Sequence, residues 1–131
     1  MWLIVVKINP PFRADHVGSL LRPARLAEAR RKERDGLIDA SELKAVQDEC
    51  IVEVVRRQES IGLQVATDGE FRRDAWQWDF LCGFDGIELR TGNTSPGFRG
   101  GYQPDNVYTY AKISNQTGVM VDHFAYLTSV T

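Results

Sequence analysis

The run from Asp39 to Gly62 constrains this chain more than any other feature. Asp39 can cap a helix with Glu42 three residues on, a variant of the capping box. Leu43, Val46, Cys50, Val54 and Ile61 recur at intervals of three, four and seven. They form one apolar stripe on a helix that ends near Gly62. A helix with such a stripe needs a second layer to cover it, and the flanking segments show what that layer is.

Upstream, "RPARLAEARRKERDG" reads as another helix. Pro23 falls in its first turn, where a missing N–H costs little, and Gly36 is its stop. Residues 12–17, "FRADHV", suit a short strand that runs into Gly18-Ser19. Downstream, "LQVAT" at 63–67 reads as a strand, turned by Asp68-Gly69, and "RRDAWQWDFL" as a helix with Asp74, Trp78 and Leu81 at helical spacings. "GIEL" at 86–89 is a short strand or extended segment. Residues 91–106, "TGNTSPGFRGGYQPDN", form a long loop of the kind that is functional or disordered in compact domains. "VYTYAKI" at 107–113 alternates like a strand, and "VDHFAYLTSVT" starts a last helix. Alternation of this kind argues for parallel strands with helical crossovers, the α/β class. The chain stops at Thr131 inside an amphipathic helix with no cap and no polar tail, so a piece of something larger is expected.

Composition narrows the chemistry. The 131 residues allow one domain with a real core, and the formal net charge is -2. That balance gives no electrostatic case for nucleic acid or an anionic membrane surface. The apolar run in "MWLIVVKINPPF" is too short for a secretory core or a membrane span. Cys50 and Cys82 have no CxxC spacing, which points to free thiols in a reduced cytoplasm. His16 and His123 are the only histidines. A metal site needs several converging ligands, and this spacing offers none. Cys50 on the stripe reads as a core thiol, and Trp76 and Trp78 as packing residues.

In parallel α/β folds the loops after the strand carboxyl ends line the site. Two segments take that place, "HVGSLLRP" and "DGEFRRD". Gly18 lets a ligand approach the backbone, and Ser19 adds a hydroxyl and an N–H. Glu70 could accept from a substrate ammonium group, or it could be a cap favoured by the helix macrodipole. Arg72 and Arg73 read as solvated or paired with Asp74.

"FRADHVGSLLRP" together with "GLQVATDGEFRRDAWQWDFL" resembles the amino-terminal part of the cobalamin-independent methionine synthase family. The likeness is greatest to its short, single-barrel bacterial members, the methyltetrahydropteroyltriglutamate–homocysteine methyltransferase-like proteins, and spans roughly residues 11 to 131. The resemblance implies a TIM (β/α)8 barrel, of which this chain would hold about three β/α units, since a whole barrel takes roughly 250 residues. Residues 1–10 would be an extension. It also implies methyl transfer from a methylated folate or similar donor to a zinc-activated homocysteine thiol. In that family the "GS" segment holds the amino-acid part of homocysteine, which maps to Val17, Gly18 and Ser19. The glutamate of the "GE" turn takes its ammonium group, which maps to Glu70. The family's zinc ligands, a histidine, two cysteines and a glutamate, lie in later strands and are absent from this chain. Asp68 stands where full-length members typically carry histidine. The implied piece is a substrate anchor, inactive alone and open to self-association through exposed barrel edges. The alternative is a small non-catalytic α/β protein that binds a ligand or partner chain.

Overall fold

The computed structural model describes residues 18–75, 77–90, 106–115 and 118–131. Its elements are α1 (Ala24–Arg34), α2 (Ala40–Ser60), α3 (Trp78–Leu81), β1 (Asp85–Arg90), β2 (Asn106–Ser114) and α4 (Val121–Val130). The chain divides into two compact units, one running to Phe71 and the other covering Arg72–Val130.

In the first unit, α1 and α2 form a helical pair whose ends follow local chemistry. Pro23 is the N-cap of α1, one position earlier than expected, and its carbonyl accepts from Leu26 and Ala27 N–H at 3.0 and 3.2 Å. Gly36 ends the helix at φ +69, with Gly36 N–H bonded to Glu33 O and Leu37 N–H to Lys32 O, a Schellman close. Arg31, Lys32 and Arg34 in the last turn face the negative end of the helix dipole. Asp39 and Glu42 form the expected capping box. The Asp39 carboxylate accepts from Ser41 and Glu42 N–H at 2.8 Å each, while Glu42 accepts from Asp39 N–H at 3.0 Å. The Glu42 N–H, followed by the Ser41 hydroxyl, holds the Asp39 carboxyl below the ordinary aspartate range. Gly62, at φ +85, closes α2 with a second Schellman pair, Gly62 N–H to Glu59 O and Leu63 N–H to Gln58 O.

Leu26, Ala29, Cys50, Ile51, Val55 and Phe71 form the buried core of this unit. The deep face of α2 is Gln47, Cys50, Ile51, Val55 and Gln58, so the expected stripe is rotated. Cys50 belongs to it, but Leu43, Val46 and Val54 flank it and Ile61 lies largely in water. Apolar residues also stand at 51, 52 and 55, so spacing alone admits more than one face. The buried polar Gln58 resolves the choice, because its amide is satisfied (below). At the rim, Arg25 donates to Cys50 Sγ at 3.2 Å and pairs with Glu53 at 2.8 Å. Such exposed pairs add little stability.

Residues 63–67 are not a strand. The segment finds no strand partner among the described residues, and a side chain meets its backbone instead. The expected strand at 12–17, residues 1–10 and most of the long loop lie outside the described residues, as do Val17, His16 and Trp76.

The second unit contains one ladder. β1 and β2 pair antiparallel, with Ile87 opposite Thr109, Glu88 opposite Tyr108 and Leu89 opposite Val107. The strands at 86–89 and 107–113 are therefore present, and β2 begins at Asn106 within the expected loop. Their pairing is not the parallel one expected, and three parallel β/α units are not seen among the described residues. The register breaks between Asp85 and Ile87, at Gly86. There φ is +83, and a Cβ would lie 2.8 Å from the carbonyl oxygens of Ala111 and Lys112. Only glycine fits. The helix expected over 72–81 is cut to the single turn α3. Asp79 pulls the preceding chain into a bend by accepting from Asp74 and Ala75 N–H at 3.1 and 2.7 Å. Arg72 and Arg73 are half-buried, and Arg72 stacks over Tyr126 of α4 at 4.9 Å. Both cysteines are free thiols, Cys50 buried and Cys82 half-buried. No helix among the described residues is long and apolar enough to cross a membrane.

Candidate functional site

The first unit brings two of the singled-out segments together. Leu20 N–H donates to Gly69 O at 3.1 Å, and Arg22 Nη2 reaches Glu70 O at 3.5 Å. The Gly18-Ser19 loop therefore lies against the turn that carries Glu70. Gly18 has φ +90, and a Cβ there would meet nothing within 4 Å. Glycine serves that position through its backbone freedom, and Ser19 next to it is exposed.

Asp68–Phe71 is a tight turn closed by Phe71 N–H to Asp68 O at 3.3 Å. Both central residues lie in the left-handed region, Gly69 at φ +66 and Glu70 at φ +59. Positive φ at both positions is the mark of a type I′ turn, which Gly, Asn and Asp dominate. Glutamate is a poor occupant, and a strained residue of this kind is over-represented at functional sites.

Several contacts hold it there. Asp68 Oδ1 accepts from Glu70 N–H at 2.9 Å, and Thr67 Oγ1 from Gly69 N–H at 3.2 Å. Gly69 is buried, and a Cβ on it would stand 2.9 Å from the Phe71 ring and 3.2 Å from Leu20 Cβ. Phe71 sits in the core at 1% exposure, and Arg30 Nη2 donates to its carbonyl at 2.8 Å.

This geometry removes the reading of Glu70 as a helix cap. The next helix starts at Trp78, with Gln77 as its N-cap. Asp68, the residue that departs from the full-length pattern, makes an Asx-type bond within the turn. A cleft of about 230 Å³ beside the turn is lined by Leu21, Pro23, Cys50, Glu53, Arg57 and Phe71. Sequence reasoning passed over Arg22, Arg30 and Gln58. The signal for Gln58 was its position seven residues after Ile51 and three after Val55, on the face that is buried.

No group of three or more His, Cys, Asp or Glu that could hold a metal ion is found among the described residues. His123 lies 3.9 Å from Asp122.

No protein-family model matches the chain. It is 53% identical over 78 residues to the uncharacterized Bacillus subtilis protein YxjH, covering 60% of this chain and 21% of that protein. It is 38% identical over 129 residues to the uncharacterized YxjG of the same organism, covering 93% and 32%. The methionine synthase of Sulfolobus acidocaldarius is 40% identical over 58 residues, which is 44% of this chain and 17% of that enzyme. A Listeria monocytogenes protein solved as a candidate vitamin-B12-independent methionine synthase superposes with a TM-score of 0.72 at 36% identity. That match covers 92% of this chain and 32% of the Listeria chain. The chain spans a third or less of each of these proteins, two of which are uncharacterized and two of which carry the methionine synthase name.

Proposed function

We propose that this chain is the substrate-anchoring part of a methyltransferase of the cobalamin-independent methionine synthase family. In the whole protein a methyl group passes from a methylated folate or similar donor to the thiol of homocysteine, in the cytoplasm. The observation that carries the reading is the strained Glu70 turn bonded to the Gly18-Ser19 loop, in a chain similar to methionine synthases.

The chemistry of the two segments suits an amino-acid head group. The Glu70 carboxylate accepts hydrogen bonds from the substrate ammonium, and Ser19, with Val17 and Gly18, meets the opposite end through hydroxyl and backbone groups. Holding both charged ends fixes where the sulfur lies, so the contribution is orientation. The described residues do not supply a zinc site. Its ligands fall to the remaining two-thirds of the whole protein, and the transfer with them.

Titration of L-homocysteine into the purified chain tests the anchor. Glu70→Gln removes the charge while keeping the shape, and should weaken binding by about ten- to a hundredfold, as expected for a charge-assisted hydrogen bond. Equal affinity for wild type and variant would sink the assignment. Supplied with homocysteine and methyl donor, the chain alone should form no methionine.

A further inference from the structure

The turn that presents Glu70 is secured by a polar residue of α2 that lies off the apolar stripe expected from the sequence. Gln58 on α2 is 4% exposed. Its carboxamide makes two bonds to one residue: Oε1 accepts from Thr67 N–H at 3.1 Å, and Nε2 donates to Thr67 O at 2.8 Å. Nε2 also donates to Val54 O at 3.1 Å. Exchange of both backbone bonds with one residue is what a neighbouring antiparallel strand does at a hydrogen-bonded pair. The side chain thus bonds Thr67 as a neighbouring strand would, where residues 63–67 have no strand partner among the described residues.

Thr67 passes this fixation on. Its hydroxyl accepts from Gly69 N–H, and Gly69 directly precedes the left-handed Glu70. A glutamate does not stay at φ +59 by its own preference, and such strain persists where the surroundings over-determine it. Gln58 fixes the start of the turn, while Arg30 fixes its end at Phe71 O.

We infer that Gln58 is a positioning residue, which clamps Thr67 and so holds Glu70 in its left-handed conformation for substrate binding. This rests on the anchor role proposed for Glu70. Gln58 itself touches no substrate.

The test is Gln58→Met in the 131-residue chain, a change that keeps length and packing but removes both bonds. Amide exchange at Thr67 should accelerate by about tenfold or more. The Glu70 Cα shift and backbone coupling should leave left-handed values, while amides of α1 and the first turns of α2 keep their shifts. Homocysteine affinity should fall by about tenfold, as for loss of alignment. An unchanged Thr67 exchange rate and Glu70 signature would overturn the inference. Should the variant not fold, wild type decides: the Gln58 carboxamide protons should exchange about tenfold more slowly than those of exposed Gln64, and equal rates overturn it. A lost Glu70 signature with homocysteine binding intact in both Gln58→Met and Glu70→Gln defeats the anchor and leaves the clamp. A retained signature defeats the clamp whatever the affinity.

Discussion

The two units of this chain solve the problem of apolar surface differently. The unit ending at Phe71 closes a core of its own: Leu26, Ile51, Val55 and Phe71 are almost fully buried. In the unit from Arg72 to Val130, Gly86 is the only buried residue among those described, and the large apolar side chains Phe80, Leu89, Tyr110, Ile113, Val121 and Phe124 are exposed. Stability in the first unit therefore comes from packing, while the second depends on its hairpin ladder and short local bonds. The candidate site belongs to the packed unit, where a strained turn can be kept in place.

The largest expected effect tests that contrast directly. Phe71→Ala should destabilise the first unit by about 3–5 kcal/mol, through lost burial and a cavity. Phe124→Ala, at a side chain 67% exposed, should stay within about 0.5 kcal/mol. Denaturant titration of both variants reads the difference, and similar shifts would erase the distinction between the units.

A smaller effect is expected where the second unit has no freedom. Gly86→Ala meets two carbonyl oxygens at 2.8 Å and a φ of +83. It should destabilise the hairpin by about 1–3 kcal/mol, seen as faster amide exchange across β1 and β2. Wild-type protection there would show that the break in register tolerates a side chain.

Glu70→Gly sharpens the comparison from the other side, because it relieves strain in the packed unit. Global stability should hold or rise by up to about 1 kcal/mol, with homocysteine binding lost. A clear drop in stability would mean that the Glu70 side chain supports the fold.

The smallest effect is at the α2 cap. The Asp39 carboxyl is held below its ordinary value first by the Glu42 N–H and then by the Ser41 hydroxyl. Its contribution is therefore complete above about pH 4 and fades as the pH falls through the lowered value. Asp39→Ala should lower the melting midpoint by roughly a few degrees at neutral pH. The gap from wild type should close in acid, and a gap independent of pH would show that the charge is idle.

What the sequence disclosed divides along the reach of the interactions. The Asp39–Glu42 cap and the stops at Gly36 and Gly62 were legible, because each is settled within a few residues. The strand at 63–67 was misread: among the described residues the backbone of Thr67 is met by a glutamine side chain and by no strand. The antiparallel pairing of 85–90 with 106–114 departs from the parallel strands expected of the chain as a whole, because alternation marks a strand without naming its partner. Glu70 was legible as a residue of interest from the "GE" turn. Its left-handed backbone was not, because propensity argues against glutamate there and the contacts that hold the turn include distant ones, from Leu20, Arg22, Arg30 and Gln58.

Where a main-chain neighbour holds a loop, no point mutation short of proline alters the bonding groups, which every other residue type shares. At Thr67 the bonding groups belong to a single codon. Drift at position 58 can therefore loosen or retune a binding loop while the helical scaffold stays intact, and the same fold can change its ligand without rebuilding its core.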